Sequence, residues 1–263
     1  DLAIPASRWF ANFPDAFTYP QSVNLLDWIV TEMQAAIGSC AGHGATTVAE
    51  GVHWIATGKA PEFSPWAQYR LAQDKDGFRG DVGSTIQGNI WVMQNIGLVP
   101  KSMCPPYPPS YRQGWRVTDE MRAAAKPNRI VNAVDVRGYD NSIKFLRAGQ
   151  GFVYHGSIWT QAMDIPGDTI HDFYGPRRND QHGGGHSTCF VGWTDEVCSC
   201  CRQPYLILHN SWSERWGDEG AKKMCRRAYD DMSGDRSTVL MGITDLAEPQ
   251  GPRTIEIKAD DWV

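Results

Sequence analysis

Between residues 40 and 57, apolar side chains recur at Ala41, Ala45, Val48, Val52 and Ile55. Steps of four and three mark one face of a helix, and Gly58 stands where such a helix would stop. Cys40 therefore opens a predicted helix. Ser64-Pro65 offers an N-cap followed by a first-turn proline and predicts a second helix over 65–74. Ile86, Ile90, Met93 and Ile96 before Gly97 predict a third. Beyond Pro105-Pro106-Tyr107-Pro108-Pro109 the pattern changes. Asp140 can cap a short helix carrying Ile143 and Leu146 up to Gly149, while 130–137, 151–158, 186–193, 204–210 and 237–244 read as strands. Helices come first and strands second. This segregation predicts an α+β fold of two lobes with a substrate cleft between them. Its parts are an N-terminal arm over 1–21, a helical lobe over 22–118, a β-rich lobe over 119–246 and a tail over 247–263, with the break between lobes near 109–128. No internal repeat interrupts this plan.

Composition narrows the functional classes. With 263 residues and 41% hydrophobic content the chain can bury a sizeable core, and its net charge of -5 lacks the basic excess that a phosphate backbone requires. Nucleic acid is thus excluded as an expected partner. Apolar runs such as Gly151-Phe152-Val153-Tyr154 fall far short of the roughly 20 residues needed to span a bilayer, so a soluble protein is expected. The chain opens at Asp1 without Met or a signal-peptide pattern, which points to processing there. Seven cysteines, an odd number in a long chain, do not form the dense even framework of a small secreted domain.

Cys40 follows Gly38-Ser39 at a helix start, where free backbone N–H groups and the helix dipole favour a thiolate and should lower the thiol pKa. On its own a cysteine is more often a buried apolar residue, so a base must be found. Of the seven histidines, His53 falls mid-helix and His209 mid-strand, and both read as structural. His186 follows Gly183-Gly184-Gly185 and begins the strand Ser187 to Trp193, which puts its ring at a sheet edge. The next strand ends on Asn210, whose neutral amide can orient an imidazole without burying a second charge.

These residues resemble a known family. Asn210-Ser211-Trp212-Ser213-Glu214-Arg215-Trp216-Gly217-Asp218-Glu219-Gly220 resembles the Asn-Ser-Trp-Gly-x-x-Trp-Gly-x-x-Gly motif of papain-like cysteine peptidases, with Ser213 in place of the usual Gly. The strand from His186 to Trp193 is similar to the one that starts on the family's catalytic His. Gln34 precedes Cys40 by the family's spacing from oxyanion-hole Gln to nucleophile, and the order Gln, Cys, His, Asn agrees. The resemblance implies peptide hydrolysis with Cys40 as nucleophile, His186 as general base and acid, Asn210 as its orienter and Gln34 in the oxyanion hole. It also implies substrate contacts at Gly83, Ser84, Gly185 and Trp212, no cofactor or metal, a peptide or protein substrate, and a propeptide or inhibitor as a further partner. Pro105 to Tyr107 echoes the family's Tyr-Pro-Tyr segment, and Trp212 and Trp216 would shield the His–Asn pair and pack the hairpin.

Two departures matter. Ala41 stands where papain and the cathepsins have Trp, and Ile37 where they have the first Cys of a disulfide. The chain resembles a divergent bacterial or phage-type branch more than the lysosomal enzymes. Its turn between the two catalytic strands holds Cys198, Cys200 and Cys201, but a metal knuckle there would want a second ligand pair, and none stands at matching spacing. The turn is read as a reduced or locally cross-linked hairpin. The paired carboxylates at Asp230-Asp231 and Asp260-Asp261 read as solvated turns. Two other functions fit the same residues: a catalytically silent papain-like module in a larger assembly, or a Cys-dependent amidase or acyltransferase.

Overall fold

A computed structural model describes residues 3–5, 8, 29–105, 115–149, 151–173 and 181–247, the side chains of 181–183 excepted. Most of the expected N-terminal arm, Pro106 to Pro109 and the tail beyond 247 lie outside the described residues.

Helix α1 (Cys40–Thr57) takes the predicted bounds, and Gly58 closes it in the left-handed conformation with its N–H donated to the Trp54 carbonyl at 2.7 Å. Its apolar face, including Ala45, Val48, Ala49 and Val52, is buried against the sheet. On its other side Gly42 lets α2 (Pro65–Asp76) come close, since a Cβ there would lie 2.5 Å from the Pro65 carbonyl oxygen. Helix α2 runs past the predicted 74 because Gly77, not an internal breaker, ends it; at its start the Ser64 hydroxyl accepts from the Ala67 N–H, a cap contributing about 1 kcal/mol. Helix α3 (Ile86–Asn95) is capped in the same way by Thr85.

Four shorter helices follow: α4 (Asp119–Ala125), α5 (Tyr139–Arg147), α6 (Gln161–Asp164) and α7 (Arg226–Gly234). The expected cap of α5 is corrected. Gly138 at φ 99° occupies the N-cap, and Asp140 sits inside the first turn, where its carboxylate takes a two-pronged contact from Arg226 at 2.9 and 3.0 Å.

The strands are β1 (Ile4–Pro5), β2 (Ile130–Asp135), β3 (Gly151–Thr160), β4 (Thr169–Ile170), β5 (Gln181–Val197), β6 (Pro204–His209), β7 (Ala221–Met224) and β8 (Val239–Leu246). They form one sheet in the order β1-β2-β8-β3-β5-β6-β7-β4, antiparallel except for the outer pairs β1–β2 and β4–β7. Strand β5 exceeds its predicted 186–193 because β3 and β6 pair with it on both sides, and two irregularities in its register with β6 bend it.

The main core lies between α1 and this sheet, around Tyr154, Phe190 and Trp193, each contributing roughly 1.5–3 kcal/mol by burial. A second cluster, with Leu71, Val92 and Ala125, packs α2, α3 and α4 against one another. The α+β two-lobe architecture is the one expected, with α1 as the wedge that carries Cys40 to the sheet. Among the described residues, no helix is long and apolar enough to cross a membrane.

Candidate active site

Cys40 is the first residue of α1, and Ser39 before it makes no side-chain cap bond, so the helix-end amides face the thiol's surroundings. The backbone N–H groups of Ser187, Ala41 and Cys40 itself favour the thiolate, yet burial outweighs them and pushes the thiol up rather than down. The lowering expected from the helix terminus is corrected for that reason. The Ser187 contact also brings the sulfur to the residue adjoining His186.

His186 donates through Nε2 to Asn210 Oδ1 at 2.8 Å, and an independent bond fixes that direction. The Ser211 backbone N–H points at the same Oδ1 at 2.8 Å and can only donate, so this amide atom is the oxygen. Nε2 must then carry the proton, which leaves Nδ1 as the basic nitrogen. Burial pulls the His186 imidazole down to about 4, opposed by the Asn210 bond, which favours the charged ring.

Two aromatics close over the pair. The Trp212 ring lies 5.1 Å from the His186 ring, and Trp159 stands edge-on at 4.4 Å. Trp159, at the end of β3, was not singled out in the sequence; its place is set by strand pairing, which puts Ser157 opposite His186.

Gln34 is almost fully buried. Its Nε2 donates to the Ile37 carbonyl at 3.0 Å, its Oε1 accepts from the Ser211 hydroxyl at 2.7 Å, and its backbone N–H donates to the Ser211 carbonyl at 3.0 Å. One Nε2 hydrogen is thus committed internally and a second remains. Ser211 ties the Gln34 loop to the strand end that carries Asn210, a role that only tertiary placement reveals.

The loop before Cys40 is anchored by a polar hub. Gly38 N–H and the Tyr69 hydroxyl both donate to Asp81 Oδ1, at 2.8 and 3.0 Å; Tyr69 accepts from Gly83 N–H at 3.1 Å and from Gln73 Nε2 at 3.0 Å. Ile37 is buried against Trp66 and Tyr69 beside this hub, and all seven cysteines are free thiols. The other expected substrate-contact residues differ in posture. Gly83 is turned inward, its carbonyl also accepting from Gln73 at 3.1 Å, whereas the Ser84 hydroxyl accepts from Asn89 at 2.9 Å and Gly185 is exposed, paired with Ile158.

Ser213, where the resembled motif has glycine, adopts φ 72°, a left-handed conformation costing a non-glycine residue roughly 1–2 kcal/mol. Its hydroxyl recovers part of that through the Arg215 N–H at 3.4 Å. Ser213→Gly is expected to stabilise the fold by about 0.5–1 kcal/mol, the added freedom of the unfolded chain offsetting the remainder. Urea unfolding checks this, and an unchanged or lower midpoint would refute the strain assigned to Ser213.

Comparisons with known proteins agree with this fold. The family model described as "Papain family cysteine protease" matches residues 20–242. Among curated proteins the chain is 28% identical over 213 residues to "Probable cysteine protease RD19D" of Arabidopsis thaliana, covering 75% of this chain and 54% of that one. It therefore spans about half the length of that relative. Among solved structures it is similar to xylellain, a cysteine protease from Xylella fastidiosa (TM-score 0.70, 23% identity, 87% of each chain). It is likewise similar to digestive procathepsin L 3 of Tenebrio molitor larval midgut (TM-score 0.67, 18% identity, 93% of this chain and 74% of that one).

Proposed function

The chain belongs to the papain family of cysteine proteases, and from that premise we propose that it hydrolyses peptide bonds through an acyl-enzyme on Cys40. The observation that carries this reading is the Ser211 N–H bond to Asn210 Oδ1, which leaves His186 Nδ1 unprotonated on the strand whose next residue, Ser187, turns its backbone N–H toward the Cys40 thiol. In the reaction, Nδ1 takes the thiol proton as sulfur attacks the scissile carbonyl. Negative charge then gathers on the carbonyl oxygen, where the Cys40 N–H and the second Gln34 Nε2 hydrogen can meet it. The imidazolium, stabilised by Asn210, returns its proton to the leaving amine, and water activated by the same Nδ1 cleaves the thioester.

Substrate binding follows from the same placement. The inward posture of Gly83 gives Ser84 the larger share of the role of bonding the substrate backbone, with the exposed Gly185 as a further contact and Trp212 as the roof over the His186–Asn210 pair. We assign the chain to a divergent bacterial or phage-type branch without the usual disulfide framework, a reading supported by Ala41, by the packed Ile37 and by the seven free thiols. A propeptide filling the cleft before activation belongs to the same proposal.

An irreversible peptide epoxide tests it. The folded, reduced chain should take up one equivalent, and mass mapping should locate it on Cys40, with Cys40→Ala unlabelled. If the folded wild-type protein remains unmodified, the peptidase reading fails.

A further inference from the structure

Four side chains meet at the end of β5 opposite to His186. Cys198 and Cys200 lie in the turn between β5 and β6, His171 follows β4, and Cys225 caps α7, and their ligand atoms all fall within 4.8 Å of one another. The pair that the sequence withheld comes from two directions, His171 from 27 residues before Cys198 and Cys225 from 25 residues after Cys200. Neither sits at a motif spacing. Strand pairing alone assembles them, through β4 against β7 and β5 against β6.

Distances select the chemistry. Cys198 Sγ is 3.0 Å from Cys200 Sγ and 3.7 Å from His171 Nδ1, and Cys200 Sγ is 4.0 Å from Cys225 Sγ. A tetrahedral zinc with three thiolates and one imidazole has ligand-to-ligand edges of roughly 3.6–3.8 Å, from Zn–S near 2.3 Å and Zn–N near 2.0–2.1 Å. The observed edges straddle those values. Cys198 and Cys225 are fully buried while Cys200 and His171 are exposed, which supplies a closed floor and a path of entry.

Outer partners are in place as well. The backbone N–H groups of Cys200 and Cys201 and the Tyr205 hydroxyl face the Cys198 sulfur, and the Ala228 N–H faces the Cys225 sulfur. Such donors hold thiolates toward an ion and offset their charge. Soft sulfur with one imidazole in a tetrahedral set suits zinc over calcium or magnesium.

We propose that Cys198, Cys200, Cys225 and His171 form a structural Cys3His zinc site that pins the β5–β6 turn and the start of α7 to the strand β4 edge. Binding of Zn²⁺ releases up to three thiol protons and leaves a complex of net charge -1, with no redox change. All four positions are taken by protein, so the site is closed to substrate and separate from the Cys40 chemistry.

The test uses the full chain carrying Cys40→Ala, so that the cleft thiol cannot compete. Metal analysis after purification without chelator should find about one zinc per chain. After metal removal, titration with Co²⁺ should saturate at one equivalent, with tetrahedral visible bands and a thiolate charge-transfer band in the near ultraviolet. Cys200→Ser, at an exposed ligand that the core does not need, should weaken Co²⁺ binding by more than the roughly tenfold to hundredfold expected for losing an outer partner, for which Tyr205→Phe is the comparison. Either an unchanged titration in Cys200→Ser or a folded parent chain that yields only weak octahedral bands overturns the site. A Cys198–Cys200 disulfide in protein isolated anaerobically and free of metal does the same.

Discussion

His186→Ala is expected to lower kcat/KM by at least about a thousandfold, and Cys40→Ala to abolish acyl-enzyme formation altogether, because one removes the base and the other the nucleophile. Asn210→Ala should be milder, roughly a hundredfold, since the ring loses its orientation but stays in place. The pH profile separates these roles. Burial holds the His186 imidazole neutral down to about 4, so the acid limb of kcat/KM should fall near pH 4 and not near the 6.5 of a free imidazole. The Asn210 bond favours the charged ring, so its removal should move that limb lower still. Steady-state kinetics on a peptide substrate from pH 3.5 to 9 decides the matter. Equal losses in His186→Ala and Asn210→Ala, or an acid limb at 6.5, would contradict the assignment of base and orienter.

Gln34→Ala should lower kcat about 10²–10³-fold, the equivalent of losing about 2.7–4 kcal/mol of transition-state stabilisation. The substrate carbonyl carries little charge before attack, so KM should hardly move. Stability should change less than activity, although the Ser211 hydroxyl loses its 2.7 Å acceptor. Gln34→Glu gives a stricter version. It keeps the volume and an acceptor for Ser211 but sets an anion where the oxyanion forms, so its kcat should be at least as low. A kcat within tenfold of wild type in both variants would remove Gln34 from the oxyanion hole.

What could be read from the sequence was what the chain encodes over short spans. The periodicity of Ala41, Ala45, Val48 and Val52 marked α1, and short apolar runs around Phe190 and Leu206 marked the strand that bears His186 and the strand that leads to Asn210. Two-residue strands such as β1 and β4 carry too little periodicity to be seen, and they exist because a neighbouring strand offers them hydrogen bonds. Contacts built from distant segments were equally hidden: Trp159 on His186, Ser211 on Gln34, and His171 beside Cys198. The ionisation of Cys40 shows the same limit from another side. A helix start is a local feature that argues for a lowered thiol, but the sulfur's burial is a property of the packed whole, and it is the stronger effect here.

The hub formed by Gly38, Asp81, Tyr69 and Gln73 bears on how this molecule meets its chemical surroundings. It joins the loop before the nucleophile to the segment around Gly83 with N–H and O–H donors alone. An electron donor that restores an oxidised Cys40 finds no bond to cleave in this hub. Bridging the same two loops through sulfur would expose nucleophile and support to one common reagent, whereas here the redox poise that awakens the thiol leaves its mounting untouched.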